Sequence, residues 1–196
     1  MKLTTLKTAV AAAVLSSTLT AGSAFAADEY QIDTQGAHAS INFKIDHLGF
    51  SYVVGRFNEF EGSFHYDADN PANNRVHVTI NPASVDSNHA ERDRHIRSDD
   101  YLDVSRYSQA EFVSSGYEDL GDGRGIVTGD LTLYGTTNEI QIEVEKYGEG
   151  EDPWGGYRMG FKGTTELYLP DFGMDFNLGP AAETVYMDLH LEGIRQ

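Results

Sequence analysis

Seven histidines, a run of arginines and several close pairs of carboxylates are the side chains of this sequence that could do chemistry. A transition-metal site wants imidazoles or carboxylates at spacings that bring them to one point, and a catalytic dyad wants the same. His38, His77 and His190 each fall on the polar phase of a different alternating segment, and His65 is out of phase with Phe64 and Tyr66. His89 and His95 stand on different sides of a short helical segment, so neither helps the other. No serine carries a G-x-S-x-G, and no G-x-G-x-x-G or P-loop stands between a strand and a helix. Glu59 with Glu61, and Glu143 with Glu145, sit on polar faces, where carboxylates are solvated. With no cysteine, thiolate chemistry and disulfides are excluded. The residues therefore predict a protein that is not an enzyme and needs no metal or cofactor.

Arg92, Arg94, Arg97 and Arg106 form the only basic concentration. They suit a clamp for an anionic headgroup, or local pairing with Glu91, Asp93, Asp99, Asp100 and Asp103. The interleaving of opposite signs favours pairing.

The elements that carry these residues alternate with a period of two. Residues 38–46, 75–81, 138–145 and 184–192 each put apolar side chains on one face and polar ones on the other, the pattern of a half-buried strand. Further strands are predicted over 52–67, 109–119, 125–134 and 157–169, with Tyr30 to Asp33 a short lead-in. In the first of these the apolar phase shifts between Phe57 and Phe60, which predicts a bulge or bend near Asn58. Residues 67–74 read as a loop, and 121–123 and 135–137 as hairpin turns. Asn88 with Glu91 resembles a capping box, so 88–98 reads as one short helix, with 99–104 as a continuation.

Eight antiparallel strands in sequence with a single helical insertion predict an all-β barrel, with a sandwich as the alternative. Ile41, Phe43, Ile45, Phe64, Val78, Ile80, Phe112, Leu131, Leu133, Ile140, Ile142, Met159, Phe161, Met187 and Leu189 are the inward set. On pattern alone they fill a solid core or line a cavity, and the solid core is the commoner outcome.

Lys2 and Lys7 precede an apolar stretch and the small-x-small run Ala24-Phe25-Ala26, so residues 1–26 are expected to be a cleaved secretory signal. Residues 27–196 then form one domain of 170 residues. The signal holds two of the 14 basic residues and none of the 31 acidic ones, so the mature domain keeps 12 basic residues and a net charge of −19. Such acidity argues against nucleic acid as a partner.

Several motifs together resemble one family. Residues 88–93 (NHAERD), 129–135 (GDLTLYG), 152–156 (DPWGG) and 178–181 (LGPA), with His47-Leu48-Gly49 and Asp171-Phe172, are similar to those of the YceI-like family of bacterial periplasmic proteins, in order along the mature chain. Thr136 and Asn138 depart from the family's usual turn. The resemblance implies an extended, eight-stranded, lipocalin-like barrel that holds a long-chain polyisoprenoid, such as an isoprenoid quinone or related prenyl lipid. On that implication the wall would comprise Ile41, Phe43, Ile45, Phe64, Val78, Ile80, Phe112, Leu131, Leu133, Ile140, Phe161 and Leu189, with Trp154 at the pore. The expected location is the periplasm. Transient membrane contact and a homodimer stay open.

Overall fold

The computed structural model describes residues 28–175 and 179–196. The expected signal segment and Leu178 of the fourth motif lie outside the described residues. The strands are β1 (Asp28–Ile32), β2 (Ser40–His47), β3 (Ser51–Phe57), β4 (Phe60–Tyr66), β5 (Arg75–Ile80) and β6 (Val85–Asp86). After the helix α1 (Ala90–Arg97) come β7 (Ala110–Gly121), β8 (Arg124–Leu133), β9 (Thr136–Glu151), β10 (Tyr157–Tyr168) and β11 (Thr184–Arg195).

Pairing reduces these to eight positions around a closed barrel. Strands β1 and β2 both pair with the same edge of β11, so they form one interrupted strand. Strands β4 and β3 pair with them in turn, and β5 and β6 pair with β4 and β3. From β5 the order runs through β7, β8, β9, β10 and β11, every pair antiparallel. Closure is made by the two ends of the described chain: Tyr30 faces Arg195, and the Gln196 N–H donates to the Glu29 carbonyl at 3.0 Å. A closed sheet has no edge to protect, which suits strands that alternate so regularly.

The predicted strand over 52–67 is two strands. Its break falls at Asn58 and Glu59, where the phase shift lies, because both backbones turn away to the 81–84 segment: the Asn58 N–H donates to the Ser84 carbonyl and Asn81 donates to the Glu59 carbonyl. Tyr30 to Asp33, read as a minor lead-in, instead belongs to the strand that closes the barrel. The helix is also capped differently. Asn88 stands at φ 60°, and the His89 ring nitrogen accepts the Arg92 N–H at 3.2 Å. Glu91 pairs with Arg94 rather than reaching back. Residues 99–104 do not continue the helix, because Asp103 turns back to donate its N–H to the Ser98 carbonyl.

One end of the barrel is closed by an aromatic plug. Tyr30 stacks on Phe64 with ring centres 4.9 Å apart, and Phe161 meets Phe64 and Tyr66 at 5.6 and 5.7 Å. Met159 is buried beneath them. The other end carries α1, the β2–β3 hairpin and a 3-10 turn at Leu169–Phe172, whose Leu169 and Phe172 are buried.

Candidate functional site

Between the packed end and α1 lies an apolar cavity of about 470 Å³. Every strand but β1 and β4 contributes side chains to it. Strand β2 supplies Ile41, Phe43 and Ile45; β5 supplies Val78 and Ile80; β7 supplies Phe112. Strands β8 and β9 add Leu131, Leu133, Ile140 and Ile142, and β10 and β11 add Phe161, Met187 and Leu189. Register builds the wall as matched rows: Phe112 faces Leu131, Val127 faces Ile142, and Met187 faces Phe43.

Two glycines keep the lumen open. Gly55 faces Phe43 across the β2–β3 pair, and a Cβ on it would lie 2.4 Å from the Phe43 ring. A Cβ on Gly129 would lie 2.7 Å from the Phe112 ring and 2.5 Å from the Val113 carbonyl. Both rings therefore lie flat against a neighbouring strand instead of pointing into the centre.

Two of the residues expected at the wall stand elsewhere. Phe64 belongs to the packed end and borders a chamber of about 70 Å³ beyond Phe161. Trp154 is 78% exposed on the β9–β10 turn. Its backbone N–H and that of Gly156 are both held by the Asp152 carboxylate, and its ring lies under the Arg158 guanidinium at 5.7 Å. That geometry holds the indole outside the barrel, away from the cavity.

Polar groups enter the wall chiefly at the end nearest α1, where Asp46, His47, Arg92, His95 and Tyr101 reach it. The Arg92 guanidinium donates to the Ser87 hydroxyl at 2.7 Å and its carbonyl at 2.6 Å. His95 meets Tyr101 edge-on at 4.7 Å and lies 3.3 Å from Asp100. Arg97 donates to the Ala83 and Val85 carbonyls, Arg94 pairs with Glu91 at the surface, and Arg106 lies over the Tyr107 ring. The arginines thus mainly brace the helix, largely through backbone carbonyls instead of the carboxylates expected. Burial pushes the Asp93 carboxyl up, but the Ser87 hydroxyl and N–H and the Arg97 charge outweigh it, and the acid is held below its usual range. Deeper in the wall Thr165 is polar, and its hydroxyl is spent on the Gln141 carbonyl at 2.7 Å.

At the packed end the fold gathers groups that no spacing announced. Arg158 donates to Asp33, Asp152 and Glu192 at 2.7, 2.7 and 2.5 Å, and His38 approaches Asp33 at 2.9 Å. The Arg158 hydrogen bond is the main reason that the Asp33 carboxyl is lowered to about 2. Asp33, His38 and Glu192 could between them offer ligand atoms to a metal, but the guanidinium already takes the same oxygens of both acids. The cluster is a charge-paired clasp joining β10 and β11 to the loop after β1.

The cavity can therefore take a long apolar body, with polar contacts offered near one end. Among proteins of known sequence, the UPF0312 protein of Ectopseudomonas mendocina (strain ymp) is 56% identical over 191 residues, covering 97% of this chain and all of that one. A UPF0312 protein of Shewanella sp. (strain ANA-3) is 51% identical over the same span and coverage. Among solved structures, Burkholderia cenocepacia BcnA aligns with a TM-score of 0.72 at 22% identity, over 82% of this chain and 98% of that one. A polyisoprenoid binding domain from Saccharophagus degradans aligns with a TM-score of 0.63 at 18% identity, over 85% and 98%. The sequence model of the YceI-like domain matches residues 30–193, and with these relatives it places the chain in the YceI-like family.

Proposed function

We propose that this protein binds a long-chain polyisoprenoid, such as an isoprenoid quinone or related prenyl lipid, inside the barrel, and acts as a periplasmic carrier or store for it. The observation that carries the reading is one continuous apolar lumen in a chain whose fold matches that of a domain named for polyisoprenoid binding. The wall runs from Phe161 on β10 to Leu169, the first residue of the 3-10 turn that follows. Eight residues at about 3.3 Å each, inclined by about 40°, give roughly 20 Å of depth. An extended isoprene unit spans about 5 Å along its four carbon–carbon bonds, so about four units fit end to end. Burial of some twenty carbons at about 0.8 kcal/mol each gives a gross term near 16 kcal/mol. That approaches the ceiling for non-covalent affinity, so few polar contacts are needed.

In this reading the lipid chain points toward Phe161, and its headgroup lies near Arg92, His95 and Tyr101. No step of bond-making is assigned to these groups. Export would follow cleavage after Ala26, giving a mature chain that starts at Ala27. Organic extraction and mass spectrometry of protein purified from the periplasm without detergent test the reading. The expected result is a prenyl lipid bound to a polypeptide of residues 27–196. Protein that carries no lipid and takes up neither added isoprenoid quinone nor polyprenol would overturn it.

A further inference from the structure

The β2–β3 hairpin ends in side chains that a water-facing turn does not need. Leu48 is 57% exposed, Phe50 85%, Tyr52 53% and Val54 63%. From Leu48 to Gly55 there is no charged residue, in a chain of which 23% is charged. The turn has Leu48 at φ 58° and Gly49 at φ 76°, with the Phe50 N–H donating to the His47 carbonyl. Glycine, asparagine or aspartate serve a left-handed position at less cost than leucine. Solubility and turn chemistry alone would therefore choose a different residue at the tip.

Placement supplies the reason. Asp46 and His47 on one side of the tip and Val53 on the other belong to the cavity wall, so the tip overhangs the lumen at its polar end. On the outer face Lys44 places its ammonium 5.2 and 5.3 Å from the Tyr52 and Tyr186 rings. Apolar residues at a tip, backed by tyrosines and a lysine, match the order in which a bilayer changes from acyl chains to headgroups.

We propose that this hairpin docks the barrel on a phospholipid surface, with Leu48 and Phe50 in the acyl region and the lumen facing the membrane. The proposal rests on the reading of the cavity as a prenyl-lipid site. A second copy of the chain is a poorer occupant. The four exposed residues offer roughly 450 Å² at full contact, against about 800 Å² per partner in a standard interface. They also stand on a narrow projecting turn rather than a flat face. Because the mature domain is strongly acidic, docking should be apolar and resist salt, and anionic lipid should weaken it.

The test is flotation of the mature protein with phosphatidylcholine vesicles, with and without phosphatidylglycerol, alongside sedimentation equilibrium and uptake of geranylgeraniol from solution. Wild type should float with phosphatidylcholine. The double variant Leu48→Ser, Phe50→Ser should lose vesicle partition by roughly a hundred-fold, about ten-fold for each large apolar side chain removed. It should still take up geranylgeraniol from solution, because neither residue belongs to the wall. Equal flotation of the two proteins, or a wild-type dimer that the variant dissolves without any vesicle binding, overturns the docking proposal. Tip-dependent flotation in a protein that takes up no prenyl alcohol upholds docking and overturns the cavity reading, so the two failures are distinct.

Discussion

Truncating a leucine in a wall costs less than truncating a methionine in a plug, and the difference reads out whether the lumen is empty. Leu131 packs on one side against Phe112 and the neighbouring strands and borders the cavity on the other. Met159 is 2% exposed within the aromatic plug and borders no cavity wall. A fully packed Leu or Met cut to Ala typically costs about 2–5 kcal/mol, part of it for the void left behind. Met159→Ala should therefore cost about 3.5 kcal/mol, which at 2–4 °C per kcal/mol lowers Tm by roughly 7–14 °C. Leu131→Ala enlarges a space that already exists and loses about half the contacts. We expect about 1.5 kcal/mol, or roughly 3–6 °C. The assay is thermal and urea unfolding of lipid-extracted protein followed by circular dichroism. Equal losses in the two variants would mean that Leu131 is packed on all sides, and the argument for an open lumen would fail. Adding geranylgeraniol should then raise the wild-type Tm more than that of Leu131→Ala, since a ligand stabilises only by its affinity for the folded state.

Phe161 separates the main cavity from the small chamber beside Phe64, so Phe161→Ala should join them and shift copurified lipid toward longer chains, as read by mass spectrometry. An unchanged chain-length distribution would show that the ring is no end wall. Gly55→Ala should push the Phe43 ring into the lumen, lowering prenyl uptake with little loss of secondary structure; uptake equal to wild type would count against the flat-ring account. The Asp33 carboxyl, lowered to about 2 by Arg158, stabilises the fold at every pH above its unfolded value of about 3.9, and this contribution disappears as pH falls through 2. Arg158→Gln lets that acid protonate at higher pH, so the acid-unfolding midpoint should rise, and coincident midpoints would remove the clasp from the account of acid stability.

Alternation made the wall legible from residue types alone, because it states which face of a strand a side chain shares. It does not state depth along the barrel. Phe43 and Phe64 have the same phase quality in sequence, yet one lies beside the lumen and the other in the plug, a distinction made by the pairing of β1 with both β4 and β11. Trp154 misled because a lone indole suits a pore as well as a turn; the surrounding Asp-Pro and Gly-Gly were the signal for the turn. The clasp ties Arg158 to Asp33, 125 positions away, so no local spacing could reveal it. The hairpin tip was visible as an uncharged run, but only the exposure of Phe50 distinguishes it from another strand interior.

The seam between β1 and β11 sets a rule for assembly. Tyr30 finds its partner Arg195 only when almost the whole chain is available, whereas most other neighbours in the barrel are joined by short connections. Synthesis delivers the N-terminus first, so hairpins such as β7–β8 can form early while β1 waits with one edge unpaired. Closure then carries the largest loop entropy of any strand pairing and should be the slow step of refolding. The same adjacency brings the ends of the described chain side by side. A short linker from Gln196 to Asp28, with new termini cut in the loop before Arg75, would turn that latest pairing into a local hairpin and hasten closure.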